Sequence, residues 1–283
     1  MTEPAVRPRS ALRTAHVHRA HLPVFGKVFT DSWRSLIGWG LGLAAAASLY
    51  LPIFPSMNGN AQMQELINSL PPELTRSINY DQIGTGPGYV QATLFGLIGF
   101  MLLSIAGIAW GAAALGGDEE SGQLELTLAH GVTRVQVALS RYAALVVKIL
   151  GLTALTCVLV LLWNGPAELS IDGSNLLGTG MLFGGLILLS ASVALFCGAL
   201  TGRRIWGIGG GAAVAVVGYV FNAIGNQSSN VEWLHALSPY YWAFGHTPLS
   251  SGANWGTVVV FSLVSVGLGV ATAGVLRHRD VGV

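Results

Sequence analysis

Six long apolar runs constrain the fold of this chain more than any other feature of its sequence. A helix needs about 20 mostly apolar residues to cross a bilayer, because each residue adds about 1.5 Å. Only 10% of the residues are charged, whereas a soluble domain averages about 25%. We therefore predict an all-α membrane protein with six transmembrane helices, in a single transmembrane domain over residues 1–283. The predicted spans are 36–55, 90–115, 137–163, 176–200, 205–224 and 255–276.

The distribution of Arg and Lys predicts the orientation of these helices, because positive residues collect in the cytoplasmic loops of membrane proteins. With six spans both termini fall on the same side, and that side holds thirteen Arg and Lys residues, whereas the opposite side holds only Arg76. We therefore expect a multi-pass protein of the cell membrane with both termini in the cytoplasm. Lys is scarce beside abundant Arg, Ala and Gly, which fits a GC-rich bacterial genome.

Three segments outside the spans have patterns of their own. Residues 25–33 mix basic and apolar side chains, which predicts an N-terminal interfacial helix that enters span 1; a disordered basic tail is the alternative. Residues 60–70 form a short amphipathic pattern between spans 1 and 2. Residues 231–237 precede a break at Ser238-Pro239, so we expect short broken helices in the outer segment before span 6. The aromatic residues after this break are typical of a lipid–water interface: Tyr240, Tyr241, Trp242 and Phe244.

The segment between spans 2 and 3 carries a cluster of charge that cannot lie in lipid. Gly116 and Gly117 are predicted to end span 2, so the carboxylates of residues 118–120 would lie in the first turn of a new helix, at the positive end of its dipole. Leu124 and Leu128 recur at an i, i+4 spacing and would give this helix an apolar face. The pattern therefore predicts a short surface helix, and an ordinary charged loop is the alternative.

Residues 118–134 resemble the cytoplasmic signature of the type-2 ABC permeases, the six-span membrane subunits of ABC exporters. The family pattern is a Glu-Glu pair, a Gly two residues later, Leu-Glu, a Leu-Leu-like pair, and a Pro/Gly-Val-Ser/Thr-Arg end. The sequence departs from it at Thr127, where an apolar residue is usual, and at His130-Gly131, where a Pro often stands. The matching residues are Glu119, Glu120, Gly122, Leu124, Glu125, Leu128, Gly131, Val132, Thr133 and Arg134.

The resemblance implies that this loop is a coupling helix, which in the family sits in a cleft of a nucleotide-binding ATPase subunit. It also implies a second permease subunit, identical or homologous, and ATP and magnesium held by the ATPase subunits. The sequence itself has no P-loop, because its only Gly-Lys pair, Gly26-Lys27, lacks the glycine pattern and the following Ser or Thr. The implied partner-binding residues are Asp118, Glu119, Glu120, Gly122, Leu124, Glu125, Leu128 and Arg134.

The scarcity of charge inside the spans suits an apolar or amphiphilic cargo, such as a drug, an antibiotic or a lipid. Lys148 is the only charge well inside a span, and we expect its apolar stem to let the ammonium snorkel toward the cytoplasmic interface. The alternative role for Lys148 is a contact with an anionic cargo or a lipid headgroup. We therefore predict the membrane subunit of an ATP-driven ABC exporter, in contact with membrane lipids.

Two other functional classes make different demands on the sequence. An ATP-independent secondary transporter or channel would usually show polar or broken helices near the midplane, and an intramembrane enzyme would need paired catalytic groups within the spans. We expect no catalytic, cofactor or metal site in this chain and no nucleic-acid partner.

His16, His18 and His21 cluster, but no Cys or carboxylate nearby completes a tetrahedral metal set. Cys157 and Cys197 lie in apolar runs and are expected to be free thiols.

Overall fold

The computed structural model describes residues 22–57 and 83–279, with side chains from residue 32 onward. All regular structure in these ranges is helical, which confirms the predicted fold class. Six of the helices are long and apolar enough to cross a membrane, and each predicted range lies within one of them. They are span 1 (Ser32–Ser56), span 2 (Gly86–Glu120), span 3 (Arg134–Asn164), span 4 (Gly173–Thr201), span 5 (Arg204–Gly225) and span 6 (Trp255–His278).

The helix of span 1 begins upstream of the apolar run. It extends without a break over Leu22–Tyr50 and continues as a 3-10 turn, Leu51–Ile53, and a short helix, Phe54–Met57. The helix predicted over residues 25–33 is therefore present and runs directly into span 1, as expected, and its position at the interface stays a prediction. The amphipathic pattern at 60–70 and the histidine cluster at 16–21 lie outside the described residues.

Span 2 is the longest span and ends later than predicted. It contains two π-helical segments, Gln91–Ile98 and Ala113–Gly117, and the second carries the helix through the glycine pair. The prediction that Gly116 and Gly117 end span 2 is therefore wrong. The chain breaks one turn later, at Gly122, which adopts a left-handed φ of 71°. Asp118–Glu120 consequently form the last turn of span 2, at the negative end of its dipole.

The connection to span 3 is a short helix, Gln123–Ala129, which we call the loop helix. It ends before Gly131, whose φ of 79° reverses the chain. Span 3 then begins with a capping box: Thr133 Oγ1 accepts the N–H of Gln136 at 3.2 Å, and Gln136 Oε1 accepts the N–H of Thr133 at 3.1 Å. The entry to span 3 is thus fixed by local hydrogen bonds.

Span 4 lies at the centre of the bundle, where it contacts spans 2, 3, 5 and 6. Spans 2 and 4 are the most deeply buried of the six. Small residues allow this close packing: a Cβ added at Gly207 of span 5 would lie 2.7 Å from the carbonyl oxygen of Ala194 in span 4. The core of the bundle is therefore built around spans 2 and 4.

The connection between spans 5 and 6 folds back into the bundle. It consists of a 3-10 helix, Ser229–Leu237, a helix, Pro239–Phe244, and a short turn, Pro248–Ser251. The break predicted at Ser238 is present, and two of the four aromatic residues after it face the protein interior. Tyr240 and Phe244 are buried, because the segment inserts between the ends of the spans. We call this end of the bundle the aromatic end.

Candidate functional site

The three carboxylates at the end of span 2 each contact a different span, at the end of the bundle that we call the acidic end. Asp118 forms an ion pair with Arg141 of span 3, with 2.5 Å between Oδ2 and Nη2. Glu119 forms an ion pair with Arg279, the residue after span 6. Glu120 Oε1 accepts the backbone N–H of Arg204, the first residue of span 5, at 3.1 Å. Three consecutive residues therefore connect span 2 to spans 3, 6 and 5.

Arg279 joins further elements at the same point. Its guanidinium donates a second hydrogen bond, from Nη1 to the carbonyl oxygen of Ala199 near the end of span 4. Its own carbonyl oxygen accepts a hydrogen bond of 2.5 Å from Nη1 of Arg134, the first residue of span 3. Gly202 makes room for the pair, since a Cβ there would lie 2.6 Å from Glu119 Oε1. Arg279 thus touches spans 2, 3 and 4 at once.

These contacts offset an unfavourable local arrangement. Carboxylates at the C-terminal end of a helix are repelled by the helix dipole. This repulsion costs roughly half a kcal/mol per charge. Arg141 and Arg279 supply opposite charge, and the N-terminus of span 5 places its positive end against Glu120. The carboxylate of Glu119 is only 11% exposed, so its charge is directed into the protein.

The loop helix turns its two predicted apolar anchors inward. Leu124 is 1% exposed and belongs to the core, and Leu128 packs against that core from a half-buried position. The outward face instead carries Gln123, Glu125 and Leu126, of which Leu126 is 58% exposed. Among the residues that the resemblance implied as partner contacts, Glu125 is therefore exposed, whereas Leu124 and Glu119 contact the chain's own residues.

The sequence model described as "ABC-2 family transporter protein" matches residues 22–277. This chain belongs to the ABC-2 transporter family. The match covers all six spans and the loop helix, so the protein is a multi-pass membrane permease, a transport subunit without a catalytic role. Permeases of this family generally work with an ATPase subunit. No curated protein is significantly similar to the chain.

The permease holds Lys148 inside its bundle. The side chain is 6% exposed, and its ammonium lies 5.2 Å from the ring centroid of Trp110 in span 2. Trp110 in turn donates a hydrogen bond of 3.0 Å from Nε1 to Ser35 Oγ in span 1. Lys148 therefore packs against an aromatic face between spans, and the snorkelling of its ammonium toward the cytoplasmic interface stays a prediction.

An apolar groove of about 360 Å³ lies between spans 2 and 5 of the permease. Its walls include Phe100, Met101 and Ile105 on span 2 and Val216 and Tyr219 on span 5. Sequence reasoning missed this groove, because apolar residues facing lipid, core or cargo look alike in a hydropathy pattern. No group of three His, Cys, Asp or Glu side chains in the described ranges could hold a metal ion, and both cysteines are free thiols.

Proposed function

We propose that this permease is the membrane subunit of an ATP-driven exporter, and that its acidic end faces the cytoplasm. The observation that carries the proposal is the outward face of the loop helix, which presents an exposed apolar residue, Leu126, beside the exposed carboxylate of Glu125. A surface of this kind suits a soluble partner, because a short helix outside the spans offers it an apolar contact and a charged contact side by side.

The charge distribution supports the orientation. Arg134, Arg203, Arg204, Arg277 and Arg279 all lie at the acidic end of the described spans, and positive residues favour the cytoplasmic side. This orientation places the loop helix in the compartment that contains ATP. The partner is then a nucleotide-binding ATPase that holds ATP and magnesium on its own chain, and two permease subunits form the membrane part.

The groove between spans 2 and 5 supports an apolar or amphiphilic cargo. Among the described residues that line it, the polar side-chain groups are the hydroxyls of Ser104 and Tyr219, so it offers apolar contact and few hydrogen bonds. Ligand sites of this size are usually apolar with a few polar groups that orient the ligand. In the proposed cycle, closure of the ATPase pair moves the loop helix, and spans 2 and 5 shift at their acidic ends, which changes access to the groove.

Co-purification and labelling test the proposal together. We expect the tagged permease to recover a P-loop ATPase whose hydrolysis is sensitive to vanadate, and Leu126→Glu to abolish that recovery. Trp233→Glu is the matched control, because Trp233 is an exposed apolar residue at the aromatic end. A cysteine at Gln123 should react only with a membrane-permeant maleimide, whereas one at Gln227 should react from outside. Transport of a lipophilic dye without any ATPase would favour a secondary transporter or channel instead.

A further inference from the structure

We propose that Glu119 and Glu120 are positioning residues that pass movement of the loop helix to spans 4, 5 and 6, and that Asp118 holds spans 2 and 3 together on either side of that helix. The inference rests on the proposed function and concerns how its coupling works. It assigns these carboxylates contacts within the chain, whereas the resemblance implied that they contact a partner subunit.

Chain connectivity creates the need for such residues. The loop helix, Gln123–Ala129, is joined only to span 2 through a two-residue turn and to span 3 through residues 130–133. Spans 4, 5 and 6 begin at Gly173 or later and share no short connection with it. A displacement of the loop helix can therefore reach these three spans only through non-covalent contacts, and the contacts nearest to the loop helix are those at the acidic end.

Glu119 provides the contact to spans 6 and 4. Its carboxylate binds the guanidinium of Arg279, and the same guanidinium donates to the carbonyl oxygen of Ala199. The pair joins residues 160 positions apart in the sequence. Because one planar guanidinium binds both groups in a fixed fork, a shift of Glu119 changes the end of span 6 and the end of span 4 together.

Glu120 provides the contact to span 5 by capping a helix that does not cap itself. Arg203 occupies the N-cap position of span 5, but its side chain makes no capping hydrogen bond. Glu120 Oε1 accepts the N–H of Arg204 instead. A carboxylate at a helix N-terminus satisfies a free N–H and meets the positive end of the dipole. Span 5 is therefore held at its first turn by span 2.

Asp118 completes the set by pairing with Arg141, two turns into span 3. This contact braces the two helices that flank the loop helix, so the loop helix moves with them as one unit. The three consecutive carboxylates thus contact spans 3, 6 and 5 in turn. The exposed carboxylate of Glu125, on the loop helix itself, makes no contact of this kind in the described residues.

The test compares two alanine variants with a matched control in the complex with its ATPase, reconstituted in lipid vesicles. Hydrogen–deuterium exchange at the acidic ends of spans 3, 5 and 6 is measured with and without ATP and vanadate. We expect Glu119→Ala to lose the ATP-dependent change at span 6 but keep it at span 5. Glu120→Ala should show the reverse, and Glu125→Ala should keep both. A merely structural role would not divide the responses in this way.

A charge exchange guards against misfolding. Glu119→Arg should lose the response at span 6, and Glu119→Arg combined with Arg279→Glu should restore it. Equal responses at all three ends in every variant, or loss at all three ends in one alanine variant, would overturn the inference and leave the proposed function standing. No ATP-dependent change in the unmodified complex would overturn the proposed function and the inference with it.

Discussion

The two ends of the bundle are held together by different kinds of contact. At the acidic end, a few charged side chains link the ends of five spans, and the residues around them are partly exposed. At the aromatic end, buried rings and side-chain hydrogen bonds to the backbone fix one inserted segment. Ion pairs that water and salt can reach are weakened by screening, whereas a packed ring cannot leave without opening a cavity.

Tyr240 shows how the aromatic end is fixed. Its ring centroid lies 5.2 Å from those of Phe100 and Tyr219, and its hydroxyl donates to the carbonyl oxygen of Gly96 at 2.8 Å. Gln91 of span 2 makes two hydrogen bonds to the backbone of the segment between spans 5 and 6. Its Nε2 donates to a carbonyl oxygen at 3.3 Å, and its Oε1 accepts an N–H at 3.1 Å. The comparison indicates that the aromatic end is the fixed end and the acidic end the adjustable one.

The largest expected effect tests the fixed end. Tyr240→Ala removes a buried ring and should lower the free energy of unfolding by about 3–5 kcal/mol. Trp233→Ala removes an exposed ring from the same segment and should change it by less than about 0.5 kcal/mol. Thermal unfolding in detergent measures both. Equal effects of the two substitutions would contradict the comparison, because the segment would then not be packed into the bundle.

The next effect tests the adjustable end. Glu119→Gln should lower the free energy of unfolding by about 2 kcal/mol, between the values typical of exposed and buried ion pairs. Added salt should weaken the unmodified protein toward the variant, because salt screens partly exposed charges. Glu125→Gln is the control and should have no such effect. If salt acted equally on Tyr240→Ala and Glu119→Gln, the two ends would not differ in kind.

A smaller effect concerns Lys148, which lies between the two ends. Lys148→Met keeps the packing of the stem and removes a cation–π contact, so the free energy of unfolding should fall by about 1 kcal/mol. In a Trp110→Leu background the same substitution should cost almost nothing, which a double-mutant cycle measures. We expect transport to remain nearly unchanged, and a strong shift toward neutral cargo would show that Lys148 lines the path.

The smallest effect appears only in acid. A hydrogen bond from the Ser174 hydroxyl, joined by the N–H groups of Asn175 and Ser174, holds the pKa of Asp172 below its usual range. A depressed carboxyl pKa stabilises the fold above the unfolded pKa of about 3.9, and this contribution is lost as the pH falls through the folded pKa. Asp172→Asn should therefore flatten the acid dependence of thermal unfolding with little change at neutral pH, because Asn also caps helices well. An unchanged acid dependence would contradict this assignment.

The sequence alone predicted the six spans and the position of the acidic segment, because hydropathy and charge are read from neighbouring residues. It also located the break at Ser238-Pro239, since proline limits the backbone locally. It could not predict that span 2 continues through Gly116 and Gly117. Glycine has a low helix propensity, so the sequence favours a break there. In the structure Gly116 packs against the backbone of Arg203 at the start of span 5, and a Cβ on Gly116 would lie 2.9 Å from the carbonyl carbon of Arg203.

Tertiary structure decided which way the side chains face. Tyr240 suits both a lipid interface and a core, and only its contacts with spans 2 and 5 make it a core residue. Glu119 suits both a partner cleft and an internal ion pair, and its nearest cation, Arg279, is 160 residues away in the sequence. Helical periodicity relates residues a few positions apart, so it predicts where a charge lies along a helix. Which distant residue neutralises that charge depends on how the helices pack, and packing is a property of the whole bundle.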